Sequence, residues 1–416
     1  MLNARAKLKN VVGNSFRYAE AARNMAAKIG AENVINATVG MLYGEDDKLV
    51  VYPTVAEAYY KISPDDFAAY APSFDGSADY KESIKVATLG KNYKEDFKDH
   101  YLPVIATPGG TGALTSTIRN YLEEGASVLI PEWLWEPYMN IATENEGNYV
   151  FYKIFDDKNQ VRLWDLKEKL TELSKTQDTL LLVINDPCHN PTGCKLSDKE
   201  WSELLETLRA IVKEKNKDIV LIIDIAYIDY DPGLDKVAYM KRFRNLPKEI
   251  LVVLSVSMSK SFTMYGTRAG AQLAITTDEA TAADFMKACA HSSRATWSSV
   301  NRGAMKLVSD IVLNDEKFDK LKAERAKYVD LIMERSKIFL DEAKAVGLEI
   351  LPYESGFFIA IPAIGISDAV GDLLAEEKVY TVIGERMIRI AVCSVPIIKI
   401  RGLATKVKKA FDAVKA

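Results

Sequence analysis

TLLLVINDPCHNPTGCKLSDKEWSELLETLRAIVKEKNKDIVLIIDIAY, residues 179–227, holds two uninterrupted apolar runs separated by one amphipathic segment. Runs of this length without polar alternation suit strands buried on both faces, as in a parallel sheet. Between them Ser197 and Glu200 stand at the S-x-x-E spacing of a capping box, which predicts a helix start there. Strand, helix, strand over this length is a βαβ unit. A third run, ILVVLSVS, ends at Ser257, and ASVLIPEW and YVFYKIF upstream supply further strand candidates. GTGALTSTIRNYLEEG reads as a helix ending in glycine. The expectation is an α/β domain with flanking helices on a mainly parallel central sheet.

The pattern changes after about Asn301. A long helical segment, DEKFDKLKAERAKYVDLIMERSKIFLDEAKAVG, leads to strand-like pieces, LEILPYESGFFIAI and ERMIRIAV, and then to a closing amphipathic helix. This predicts a second, smaller α+β domain. Two packed units also suit a chain of 416 residues.

Composition narrows the function. A formal net charge of −4 gives no global attraction to nucleic acid, so a cationic site must be local. No segment approaches the ~18 consecutive apolar residues of a membrane span, and the N-terminal stretch lacks the apolar core of a secretion signal. Four cysteines without CxxC spacing suit a reducing, cytoplasmic setting. Three histidines without paired spacing give no support for a metal site, and His189 reads as structural.

In open α/β sheets ligands sit outside the carboxyl ends of the strands. The residues following the three runs are polar: NDPCHNPTG, DIAY and SMSKSFTMYGTRAG. The turn TPGGTGAL at 107–114 precedes a predicted helix, where free amides favour a phosphate. It lacks the third glycine of a dinucleotide fingerprint, because Thr115 stands there, which counts against a nicotinamide dehydrogenase. Lys260, just past a buried strand, has the setting of an imine-forming amine, which desolvation and a cationic neighbour keep neutral. Arg268 suits a phosphate, Asp224 a pyridine nitrogen, and Asn190 with Tyr227 a phenolate oxygen. All these roles describe one ligand, pyridoxal phosphate.

With HNPTG at 189–193, DIAY at 224–227, SMSKSFTMYGTRAG at 257–270 and GGTGAL at 109–114 in order, the chain closely resembles the class I aminotransferases of aspartate and aromatic type. INATVGMLYGEDDKLVVYPTVAEAY and MIRIAV extend the resemblance over nearly the whole chain. It implies a fold type I pyridoxal phosphate enzyme, with a large cofactor-binding domain over 50–305 and a small domain from 1–49 and 306–416. Lys260 then resembles the lysine that forms the imine and shuttles the proton, Asp224 the partner of the ring nitrogen, and Asn190 with Tyr227 the pair on the phenolate. Gly110, Thr111, Ser257 and Arg268 match the phosphate cup, and Trp135 the ring stacked on the cofactor. Tyr70 resembles a tyrosine lent to a neighbouring subunit, which implies a homodimer. Arg389 matches the clamp on the substrate α-carboxylate, Gly40 the segment closing over it, and Phe358 the substrate side. Arg294 falls near a second arginine that dicarboxylate-handling members contribute across the dimer.

The chain departs from the family pattern at three places. Thr263 replaces a small or aliphatic residue, Pro137 and Tyr138 replace a polar pair near Asp224, and Gly109 stands where dicarboxylate-specific relatives often have serine. Plainer readings compete at single positions. Trp133 sits two residues from Trp135 and either ring suits ordinary core, a tyrosine at 70 can simply pack, and a loop arginine at 294 is by default solvated. The expected function is transfer of the amino group of an L-amino acid, aspartate or aromatic, to 2-oxoglutarate in two ping-pong half-reactions. A C-S β-lyase or decarboxylase on the same fold and a non-enzymatic pyridoxal phosphate-binding regulator are the alternatives.

Overall fold

The apolar runs lie side by side as strands. The computed structural model describes residues 1–2, 6–7, 9, 15–156, 158–161, 163 and 165–415. Part of the expected small-domain stretch 1–49, namely residues 3–5, 8 and 10–14, lies outside the described residues. Among those described, the chain forms β1 (Ile35–Ala37), β2 (Val104–Pro108), β3 (Ser127–Pro131), β4 (Asn148–Tyr152), β5 (Thr179–Asn185), β6 (Asp218–Asp224), β7 (Ile250–Ser257), β8 (Ala269–Ile275), β9 (Phe358–Pro362), β10 (Val379–Ile383) and β11 (Met387–Ala391).

A seven-stranded sheet runs β2-β8-β7-β6-β5-β3-β4, and a four-stranded sheet runs β1-β10-β11-β9. In the large sheet β8 is antiparallel to both neighbours and the other pairs are parallel. The reason is the link from β7 to β8, residues 258–268, which is shorter than the dozen or so residues a parallel crossover needs. The register sets Asn185 beside Asp224 and Asp224 beside Ser255, so the ends of β5, β6 and β7 share one edge.

Val183, Ile222 and Val253 are fully buried on one face of this sheet with Leu114, Ile118 and Phe285. Leu182, Leu221 and Val252 fill the other with Leu204 and Leu208. Each such side chain contributes roughly 1.5–3 kcal/mol by leaving water, which makes this edge a rigid platform. The helix Asp198–Lys215 begins with the expected capping box, Ser197 and Glu200 each satisfying the other's backbone N–H. The helix Asp315–Val346 ends at Gly347 in the left-handed conformation.

Three details differ from the sequence reading. The helix Gly109–Tyr121 stops short of Gly125, because Leu122 turns extended and buries its side chain. Of LEILPYESGFFIAI, Phe358–Pro362 is the strand. Finally, VYTVI forms β10, an unforeseen strand paired with both β1 and β11.

Candidate active site

At the carboxyl edge of the large sheet lies a cavity of about 150 Å³, lined by Gly110, Thr111, Trp135, Asn190, Asp224, Tyr227, Ser257, Lys260 and Arg268. All nine are among the residues singled out from the sequence. Arg389, Gly40 and Phe358 join its rim: Arg389 Nη1 donates to Asn190 Oδ1 at 3.0 Å, and Lys260 Nζ donates to the Gly40 carbonyl at 2.7 Å. Phe358 lies under the Arg389 guanidinium at 4.1 Å. Tyr70 and Arg294 stand apart. Tyr70 is 87% exposed and Arg294, also exposed, rests over Phe74 at 4.8 Å and donates to Ser298 Oγ at 2.6 Å.

The lysine is placed by its own segment. Ser257 closes β7 and caps the short helix Met258–Ser261, accepting from Ser259 N–H, and this turn carries Lys260 over the sheet edge. Lys260 opens only partly to the cavity, and the surrounding protein dominates its electrostatics. Burial pushes its ammonium down to about 8, and the Arg389 and Arg268 cations push the same way. Cys393 and Asp224 oppose this. Cys393, however, is itself pushed up to about 12 by burial, so at neutral pH it is an uncharged thiol and holds no charge on the lysine.

Asp224 ends β6 fully enclosed, and burial raises its carboxyl above the usual range. Two donors counter that: Tyr138 Oη at 2.7 Å and Ala226 N–H at 3.1 Å. Tyr138 thus takes up support of Asp224 where the family's polar pair is missing. It is itself fixed by an edge-on contact with Trp135, ring centroids 5.5 Å apart. Trp133 is buried outside the cavity with Arg386 over its ring, so Trp135 is the indole at the site.

The glycine turn and Arg268 explain each other. Gly109 has φ +72°, and a Cβ there would stand 2.6 Å from Arg268 Nη2. A serine at this place would be strained and would displace the guanidinium, which accounts for that departure. At Gly270 a Cβ would meet the Gly109 backbone and the Val256 carbonyl at 2.6 Å, so β8 can approach the turn this closely only with glycine. Thr263, the other unusual residue, takes φ +51° and its hydroxyl accepts from Tyr52 N–H at 3.2 Å.

Segment 39–43 lies across the cavity as a strap. Besides the Lys260 bond, Leu42 N–H donates to Tyr265 Oη at 2.9 Å, and Tyr43 N–H donates to the Cys393 carbonyl at 3.0 Å. Tyr265 also lies 4.8 Å beneath Lys260 Nζ. A Cβ on Gly40 would reach Phe358 at 3.1 Å, so a larger residue would press on the ring beneath Arg389.

Sequence reasoning missed Asn185 and Tyr265 as supports, and noted Tyr138 only as a departure bearing on the support of Asp224. Asn185 donates to the Asp224 carbonyl and accepts from Asn190 N–H at 2.7 Å, tying two site residues together. Its place at the end of an apolar run was the available signal. His189 is buried with Nδ1 2.9 Å from the Thr192 hydroxyl, and burial keeps its pKa down at about 3. Among the described residues no three His, Cys, Asp or Glu side chains group as a metal site requires.

The donor set fits pyridoxal phosphate on geometric grounds: a bare glycine turn against a guanidinium, an enclosed carboxylate, a flat indole and a lysine of depressed pKa face one cavity. Comparison with known proteins agrees at the level of the family. The chain belongs to the family described as Aminotransferase class I and II, which matches residues 32–407. The aromatic-amino-acid aminotransferase of Escherichia coli (strain K12) is 28% identical over 400 residues, 91% of this chain and 93% of that one. A solved aminotransferase from Anaerococcus prevotii has a TM-score of 0.91 at 32% identity, covering 99% of both chains. At 24% identity, an aromatic-amino-acid aminotransferase from Burkholderia pseudomallei, covalently bound to pyridoxal phosphate, shares the fold with a TM-score of 0.79 over 98% of this chain and 100% of that one. The protein is an enzyme, an aminotransferase.

Proposed function

We propose that this enzyme uses pyridoxal phosphate to move the amino group of an L-amino acid, aspartate or aromatic, to 2-oxoglutarate in two alternating half-reactions. One observation carries most of the reading: Arg389 is a largely enclosed cation without a carboxylate partner among the described residues, and its Nε is buried with no acceptor. A substrate α-carboxylate would satisfy it as a bidentate pair.

When bound, pyridoxal phosphate supplies an electron sink for the bond breaking at the substrate α-carbon. Arg268 with the 109–111 turn would hold the phosphate, Trp135 would cover the ring face, and Asn190 with Tyr227 would donate to the phenolate. Asp224, supported by Tyr138, would keep a proton on the ring nitrogen. Arg389 fixes the carboxylate, while Lys260 supplies the amine and then moves a proton at the α-carbon. The strap and Phe358 exclude water from that side.

We read Tyr70, Phe74 and Arg294 as a surface that meets a second copy, so that Tyr70 and Arg294 serve the neighbouring cavity of a homodimer. Their exposure in one chain supports this. We also propose a large domain over 50–305 and a small one from 1–49 and 306–416, a division that the two separate sheets support. No helix among the described residues is long and apolar enough to cross a membrane, and a cytoplasmic setting suits the four free, buried thiols.

The test is to load the purified protein with pyridoxal phosphate and add single L-amino acids without an acceptor. One equivalent of 2-oxo acid per subunit, with turnover restored by 2-oxoglutarate, is the expected result. Continuous release of ammonia and pyruvate would make the protein a lyase, carbon dioxide a decarboxylase, and no product with any amino acid a binding protein.

A further inference from the structure

Behind the strap, on the side away from Lys260, lies a second cavity of about 130 Å³. Its apolar wall is Ala26, Val34, Val39 and Val395. Its polar wall includes Arg23, Tyr43, Lys399 and Asp47, with Asn36 and Ser394 beside them. Lys399 is engaged, donating to the Ala31 carbonyl at 2.9 Å and pairing with Asp47. Arg23, which is exposed, and the Tyr43 hydroxyl have no hydrogen-bond or ion-pair partner among the described residues, and both residues line the space. The lining carries two cations and one anion, and that anion is already paired.

We propose that this cavity is a regulatory site for a short-chain monocarboxylate. A carboxylate presents two coplanar oxygens to the arginine fork, with the Tyr43 hydroxyl as a further donor. A phosphate or sulfate would press additional charged oxygens against Val34, Val39 and Val395, a costly desolvation. The volume equals roughly four waters of ~30 Å³ each, room for a carboxylate with a short branched body and not for a nucleotide. The site acts on catalysis through the strap, because Val39 and Tyr43 line the cavity while Gly40 and Leu42 between them hold Lys260 and Tyr265 on the opposite side. An occupant that fixes Val39 and Tyr43 stabilises the strap in its seated position, and a seated strap in turn favours the occupant.

Isobutyrate is the probe, titrated calorimetrically into the pyridoxal phosphate-loaded enzyme. Because Arg389 also binds carboxylates, the decisive protein is Arg389→Ala, which should keep one site per subunit. Adding Arg23→Gln should weaken that site about tenfold, as loss of a charge-assisted pair does, and Ala26→Leu should fill it. Arg23→Gln alone should leave half-transamination unchanged, which shows an intact fold. Hydrogen exchange at residues 39–43 in Arg389→Ala should slow on adding isobutyrate. No binding to Arg389→Ala, or binding indifferent to Arg23→Gln, would overturn the site. Exchange unchanged by bound isobutyrate would overturn its coupling to the strap. None of these outcomes bears on whether the enzyme transaminates, which the acceptor-free assay decides separately.

Discussion

The two walls of the active-site cavity are built differently. One wall is the sheet edge, where Asp224 and Ser257 end strands whose side chains are packed on both faces and Asn190, in the loop after β5, is tied to the strand end at Asn185. The other is made of the strap together with Phe358 and Arg389, which sit on the paired strands β9 and β11, and it meets the first wall through single hydrogen bonds such as Lys260 to Gly40 and Arg389 to Asn190. The difference teaches that Asp224, Ser257, Phe358 and Arg389 are all positioned by buried strands of one sheet or the other, whereas the strap is positioned by a few polar contacts. Changes on the sheet wall should act on the cofactor, and changes on the strap wall on KM.

The largest effect tests the junction of the two walls. Lys260→Ala should lose at least ~10³-fold in half-transamination while still folding, measured as 2-oxo acid released in a single turnover; unchanged turnover would remove this lysine from the mechanism. Next comes the substrate wall: Arg389→Lys keeps the charge but not the planar fork, and kcat/KM should fall roughly 10- to 100-fold, mostly in KM. A matching loss of cofactor affinity would break the division between walls.

On the sheet wall, Tyr138→Phe removes a donor from an enclosed carboxylate. Affinity for pyridoxal phosphate should drop about tenfold with KM little changed, measured by fluorescence titration. The smallest effect belongs to the strap. Tyr265→Phe leaves Leu42 N–H without its acceptor and should raise KM roughly three- to tenfold with cofactor affinity retained. The lysine also sets a pH dependence: its pKa is depressed, so the neutral amine accumulates as pH rises through about 8. The rate at which added pyridoxal phosphate develops a visible absorption band should climb over that window, and a flat profile would mean that the amine is already neutral below it.

The sheet wall was legible in the sequence because Asp224 and Ser257 end apolar runs and Asn190 lies in the polar segment that follows another. Strand direction then brings Asn190, Asp224 and Lys260 to one edge without knowledge of any long-range contact. The supports were less legible: Asn185 stood in view at the end of an apolar run and Tyr138 was placed near Asp224 only by the resemblance. Tyr138 meets Asp224 across 86 positions and Tyr265 meets Leu42 across 223, and neither spacing has a local signature. β10 escaped notice for a similar reason, since its pairing with β1 joins Ile35 to Val379. Gly109 shows the converse: a residue noted as a departure becomes intelligible once Arg268 is seen against it.

The bond from Lys260 Nζ to the Gly40 carbonyl ties the lysine to the strap. An ammonium is a stronger donor to a carbonyl than a neutral amine, so the proton that keeps the lysine inert also strengthens its hold on the strap. Deprotonation would weaken that one contact, while the bonds from Leu42 to Tyr265 and from Tyr43 to Cys393 hold the strap whatever the charge on the lysine.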